Sequence, residues 1–423
     1  MNGLPLGHGS PSAVASDLGA SASTRLGAGP NRLRDHNARL MLTAVQRHGP
    51  LASADLARLT GVSAQTASVI SRALEADGLL AKGAPVRGRI GKPSTPLRLD
   101  PDGAFSIGLR IGRRSADLVL IDLTGAVRAH VRTTHPWPTP ESITAFARSG
   151  LARLTEEVGT AKAARIVGIG VGMPFEIWDW LDAVGAPRAE MAAWRGFDLP
   201  SAIGAFTNLP VTVGNDATLA CGAEHVFGTG RGLPDFGYLH VGSFIGGGIV
   251  LGGRLHAGPT GNAGALASLP VRGPGAADGQ LAQHASLYTL ERQLDAAGIN
   301  PAPLWQTGAL GKPAAADPAN PAWAAMEPHL SDWLTSAGEH LALACLAMTA
   351  VVDLPVIVID GVLPPALRAR LVAEAERALA RADTRGIAAP ALREGALGAV
   401  AGALGAAYRP IADALLIDGS ALG

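Results

Sequence analysis

Two stretches about 130 residues apart read alike: FSIGLRIGRRSADLVLIDLTGAV at residues 105–127 and FGYLHVGSFIGGGIVLGGRLHAG at 236–258. In each, short apolar runs are broken by glycines at turn spacing, which predicts strand, turn, strand, turn, strand. Helix-like sequence follows both. One α/β lobe, duplicated, is the expectation. Two facing lobes enclose a cleft, and ligands of open α/β sheets lie beyond the carboxyl ends of the strands, where glycine-rich loops gather.

In front of this body, Leu33, Leu40, Met41, Ala44 and Val45 recur at helical spacing from Asn31 to about His48, and Gly49-Pro50 ends the run. The next stretch, SADLARLTGVSAQTASVISRALEADGLL (53–80), predicts two short helices. Ser53 is expected to cap the first, Gly61 to make the turn and Ser63 to cap the second, whose buried stripe is Val62, Ala67, Ile70 and Leu74. That is a helix-turn-helix. Leu79-Leu80 and Leu97/Leu99 then read as two short strands around KGAPVRGRIGKPSTP, whose Lys82, Arg87, Arg89 and Lys92 make a basic wing suited to phosphates or a narrow minor groove. Ala64, Gln65, Thr66 and Ser68, at the exposed start of the second helix, are short or amide-bearing groups that fit base edges in the major groove. A protein-binding winged helix with a solvated polar face is the alternative.

Charge favours DNA. Residues 1–100 hold 12 Lys and Arg against 6 Asp and Glu, a net +6, while the whole chain is neutral and the remainder is therefore −6. A basic head on an acidic body points to a polyanionic partner. The 423 residues, 48% hydrophobic and 17% charged, exclude one small domain and extended disorder. The apolar run Leu341–Val352 falls short of the roughly 20 residues that span a bilayer and reads as a buried core helix. The first 30 residues lack the pattern of a secretory signal, and Cys221 and Cys345 are too few for a disulfide framework or a structural zinc site, so the expected home is the cytoplasm, with no membrane partner.

The series GIGVGMPFE (168–176), VTVGNDATLACGAEHVFGTGRG (211–232), the 236–266 stretch ending GPTGNAGAL, and GALGAAYRP (402–410) resembles the ROK family of repressors, open reading frames and kinases, over about residues 32–410. The resemblance implies the actin-like, ribonuclease-H-like sugar kinase fold behind the winged helix-turn-helix, a homodimer or homotetramer, and a final helix returning to the first lobe. The expected division is a tail at 1–30, the winged helix-turn-helix at 31–100, lobe one at 101–222 and lobe two at 223–423. Residues 1–30 and the Pro/Ala stretch near 301–322 read as a flexible tail and a surface insertion.

A sugar kinase needs a carboxylate to take the hydroxyl proton and loops that cradle triphosphate and metal. Asp216 matches the family's catalytic aspartate and Asn215 its sugar-binding neighbour. The phosphate half departs from the pattern: Arg110-Ile111-Gly112-Arg113-Arg114 stands where kinases resemble D-x-G-x-T, Phe244 replaces a small residue in the second loop, and Asp360-Gly361 puts an anion at the adenosine end. The family's E-x-G-H is Ala265-Leu266-Ala267-Ser268, and its zinc cysteines are replaced by VRGPGAADGQLAQHAS (271–286). The expectation is therefore no catalysis, no cofactor and no metal. Asn215, Asp216, Asn262, Glu176, Trp194 and His284 are the residues expected to hold a polyol, Trp194 by stacking. Arg110, Arg113 and Arg114 are open to an anionic effector such as a sugar phosphate, to surface salt bridging or to DNA-proximal charge. The leading expectation is a sugar-responsive repressor of carbohydrate uptake or catabolism genes; the alternatives are an active ATP-dependent sugar kinase with a DNA-binding appendage and a ligand-blind DNA binder.

Overall fold

The computed structural model describes residues 30–85, 95–179, 186–271, 279–305 and 321–417. The head comprises α1 (Pro30–His48), α2 (Ser53–Thr60), α3 (Ala64–Ala76) and an antiparallel pair, β1 (Leu80–Lys82) and β2 (Leu97–Leu99). Gly61, at φ 68°, adopts the left-handed conformation that the turn between α2 and α3 requires. Ser63 caps α3 by accepting from Thr66 N at 3.1 Å. Ser53, expected as a cap, is instead the first residue of α2; Ala52 precedes it and no side chain caps that end.

Lobe one contains β3 (Phe105–Ile111), β4 (Ser115–Asp122), β5 (Val127–Thr134), α4 (Pro140–Val158), α5 (Thr160–Ala163), β6 (Ile166–Met173), α6 (Arg188–Ala192), α7 (Leu199–Gly204), β7 (Val211–Asn215) and α8 (Asp216–Phe227). Lobe two contains β8 (Phe236–Val241), β9 (Ile245–Leu251), β10 (Arg254–Leu255), β11 (Pro270–Val271), β12 (Gly279–Gln280), α9 (Ala282–Ala285), α10 (Leu287–Ala296), α11 (Pro321–Val352), β13 (Val356–Gly361), α12 (Pro365–Arg381), β14 (Ala391–Glu394) and α13 (Ala401–Leu415). The five-stranded sheets have orders β5-β4-β3-β6-β7 and β10-β9-β8-β13-β14. In both, a three-strand antiparallel meander is extended by two parallel strands. The duplication read from residues 105–127 and 236–258 is thus a duplication of topology. A boundary at 222/223 falls within α8, so the passage between sheets is the segment 228–235.

Parallel strands buried on both faces need continuous apolar sequence, and β3 and β13 supply it. The run at 341–352 is the C-terminal part of α11, a 32-residue helix long and apolar enough to cross a membrane by length and composition. Its Trp323, Met326, Leu330, Trp333, Leu341 and Cys345 instead fill the core of lobe two.

The helix α13 returns to lobe one and lies between β3, β6 and α8 at backbone contact. A Cβ on Gly170 of β6 would sit 1.8 Å from the Ala406 carbonyl oxygen, and one on Gly405 of α13 would sit 1.9 Å from that of Leu219. Glycine at both positions lets the backbones close. The far end of α13 meets the head: Leu404, Ala407 and Ile411 share a core with Met41, Leu42 and Val45 of α1. Arg39 Nη2 donates to Asp413 O at 2.7 Å, and Ile417 N donates to Thr43 Oγ1 at 3.0 Å.

Candidate functional site

The cleft chemistry starts where β7 ends and α8 begins. Asn215 caps α8, its Oδ1 accepting from Ala217 N and Thr218 N at 3.1 and 3.0 Å, so this oxygen is committed to the backbone. Asp216 follows as the first helical residue, with 18% of its side chain exposed, and Arg110 Nη2 of β3 stands 3.7 Å from its Oδ2. Burial pushes the Asp216 carboxyl up from its ordinary range, and Arg110 pulls against that push. Gly402 of α13 closes the other side of Arg110; a Cβ there would lie 2.9 Å from Arg110 Cδ.

The arginines that replace the phosphate-loop residues join the lobes. Arg113, in the β3–β4 turn, ion-pairs with Glu291 Oε2 of α10, and Arg114 Nη2 donates to Glu291 Oε1 at 2.7 Å. Arg113 and Glu291 are nearly dry, at 6% and 5% side-chain exposure. Sequence reasoning found the two arginines but not Glu291, because Leu287, Leu290 and Leu294 mark α10 as an ordinary amphipathic helix and a charge among them carries no partner signature. The space left beside this latch, between the β3–β4 turn and the lobe-two residues Ser243 and Val362, is about 60 Å³. Pockets for drug-sized ligands run to roughly 300–1,000 Å³.

Several expected site residues have other employment. Trp194 is buried in the core of lobe one, where its Nε1 donates to Pro138 O at 2.9 Å. It is not available to stack on a sugar; the exposed ring beside it is Phe197, held edge-on with centroids 5.7 Å apart. His284 stacks on His340 with centroids 4.0 Å apart and planes 5° from parallel, and burial pulls its pKa down. Glu176 is exposed and holds φ at 48°, while Asn262 is half-buried in the turn after β10. Phe244 packs on Tyr288 rather than standing alone in the second loop. Asp360 is no unpaired anion at the adenosine end: Arg368 Nη1 lies 3.2 Å from its Oδ1, Tyr238 OH donates to its Oδ2 at 3.1 Å, and Gly398 N donates to it. Beside this node burial drives His240 down to about 3, so it is neutral. Among the described residues, no group of three or more His, Cys, Asp or Glu side chains is placed to hold a metal.

On the head, Ala64, Gln65 and Ser68 lie exposed along α3. Thr66 is partly withdrawn, its hydroxyl 2.8 Å from that of Ser63. The same face continues through Val69 and Arg72, which sequence reasoning passed over although both follow at helical spacing; the Arg72 Nε–H donates to Ser68 O. Lys82 is exposed at the base of the wing, 3.4 Å from Glu75. Arg87, Arg89 and Lys92 lie outside the described residues. Two cations counted in the head's positive balance face the body instead: Arg39 reaches α13, and Arg47 Nη2 donates to Gly253 O at 3.3 Å.

Residues 106–410 match the ROK family. The chain belongs to the ROK family. Residues 36–90 match the MarR family, so this ROK protein carries a MarR-type winged-helix DNA-binding module, the layout of a transcriptional regulator. The uncharacterized protein y4fQ of Sinorhizobium fredii is 28% identical over 88% of this chain and 90% of its own length. The xylose repressor of Bacillus spizizenii is 24% identical over 56% of this chain and 60% of its own length. Among solved structures, a ROK family transcriptional regulator, a homolog of the Escherichia coli MLC protein, superposes with TM-score 0.62 at 21% identity, over 92% of this chain and all of the other. That likeness establishes the actin-like sugar kinase fold with a head in front.

Proposed function

We propose that this ROK protein is a sugar-responsive transcriptional repressor of carbohydrate genes that binds its effector without phosphorylating it. The observation that carries the reading is α13, whose Gly402 end packs on the Arg110–Asp216 pair and whose Asp413 end is held by Arg39 of α1. A ligand that shifts Asp216 or the closure of the lobes therefore moves a rigid element fixed to the reading head. Differential affinity for the two closures is sufficient to drive the switch. Asp216, Asn262, Glu176 and the free amide of Asn215 remain the candidates to bind hydroxyls, and the xylose repressor among the relatives supports an aldose as ligand.

The absence of turnover is inferred from charge and space. Arg110 and Arg114 stand in place of the acid and hydroxyl residues that would anchor a metal-bound triphosphate, and Arg110 faces Asp216 itself. The retained aspartate at the start of α8 is what a kinase with a DNA-binding appendage would share. Two reading heads on a pseudo-palindromic operator require a homodimer or homotetramer, working in the cytoplasm. The test is release of operator DNA across a panel of aldoses and amino sugars, run beside a coupled ADP assay. Operator release without ADP supports the repressor; turnover that disappears in Asp216→Asn supports the kinase.

A further inference from the structure

The cavity at the lobe junction has a one-sided wall. Arg110, Arg113 and Arg114 line it from β3 and the β3–β4 turn, and Arg132 from β5, together with Ser115 and Ser243. The carboxylates that pair with these arginines, Asp216, Glu291 and Asp117, stand outside its lining. Arg114 Nε is buried and has no hydrogen-bond partner. Four arginines and, among the described residues, no carboxylate line this partly open space, which favours an anion there, because planar N–H forks match the oxygen geometry of a tetrahedral oxyanion. At about 60 Å³ the space has room for several waters. It suits one phosphoryl group, with the rest of a small ester projecting through the opening.

We propose that this junction binds a phosphate-class oxyanion, either free inorganic phosphate or the phosphoryl group of a small sugar ester, in competition with Glu291 for Arg113 and Arg114. The anion is then a co-effector: it exchanges the interlobe ion pair for a ligand held between the same two lobes. The co-effector role rests on the reading of lobe closure given above, whereas the binding does not. The acid and hydroxyl residues that would serve a metal-bound triphosphate are arginines here, so the site has changed its ligand class rather than only lost one.

Isothermal titration of the full chain in low-chloride buffer tests this with inorganic phosphate, glucose 6-phosphate and glucose as separate titrants. Saturable binding of phosphate or of the ester is expected, weakened about tenfold or more in the Arg114→Gln/Arg132→Gln double variant, since each charge-assisted hydrogen bond carries roughly that factor. Glu291→Gln is expected to tighten it. Tighter binding of the ester than of both phosphate and glucose identifies an esterified ligand; equal binding of ester and phosphate identifies the free anion. No saturable phosphate or ester binding, or an isotherm unchanged in the double variant, overturns the proposal. Should the double variant not fold, the wild type decides through its melting temperature: saturable stabilisation by phosphate and sulfate beyond that of chloride at equal ionic strength supports the site, and equal shifts overturn it. Operator release by sugar is read separately, so its failure leaves the titration standing, and the reverse.

Discussion

Replacing Glu291 with Gln is the sharpest test of how the lobes are held. The substitution keeps shape and removes one charge shared by two guanidinium groups. The Arg113 half is dry, at 6% exposure against 5% for Glu291, and breaking a buried pair from one side costs about 3–5 kcal/mol because the remaining charge is left uncompensated. The Arg114 half is 37% exposed and contributes no more than roughly 1 kcal/mol in solvent. A loss of about 3 kcal/mol is expected. At about 2–4 °C per kcal/mol for a unit of this size, the first calorimetric transition should fall by roughly 6–12 °C. An apolar replacement of both partners, Arg113→Met with Glu291→Leu, should recover most of the loss, because the desolvation cost disappears with the charges. A Glu291→Gln melt within about 1 °C of wild type would refute the claim that this pair braces the junction.

Other perturbations address the packing, the buried acids and the reading face. Gly405→Ala drives a methyl against the Leu219 carbonyl and should cost about 1–3 kcal/mol or more by denaturant titration; a neutral result would mean that α13 does not sit at backbone contact. Burial, aided by nearby Asp360, pushes Glu224 up to about 7, against the amides of Thr229, Ala396 and Leu397 that donate to it. The folded chain thus holds a proton that the unfolded chain releases near its ordinary 4.5, so stability from this group is present below that value and lost as pH rises through about 7. Glu224→Gln should flatten that slope in melts from pH 4.5 to 8, and an unchanged slope would assign it elsewhere. On α3, Gln65→Ala should relax base preference by about 1–3 kcal/mol at one position of a selected site, while Arg72→Ala should weaken all sequences and lower the salt slope; the reverse pattern would exchange their roles.

The repeated meander was legible because two largely buried strands and a more exposed third, punctuated by glycine, leave the same pattern twice, at Phe105 and at Phe236. The head was legible for a similar reason: Ser63, Gly61 and the stripe Ala67, Ile70 and Leu74 are local signals that the structure honours. Partners distant in sequence were not legible. Glu291 sits about 180 residues from the arginines it joins, and nothing in LYTLERQL distinguishes a buried interlobe carboxylate from a solvated one. Trp194 failed as a sugar platform because an indole near a polar stretch looks the same whether its N–H meets Pro138 O in the core or a hydroxyl in the cleft. The positive balance of the head was correct as a count, but Arg39 and Arg47 use their charges to dock the head on the body.

The proposed switch is an occupied cleft that moves the reading head through α13 without chemistry. Fluorescence anisotropy of the full chain on DNA selected from a random pool, titrated with aldoses in nucleotide-free buffer, measures it directly. Saturable loss of DNA affinity with at least one neutral sugar, unaffected by adding magnesium-ATP, is the predicted result; release that requires magnesium-ATP would contradict it.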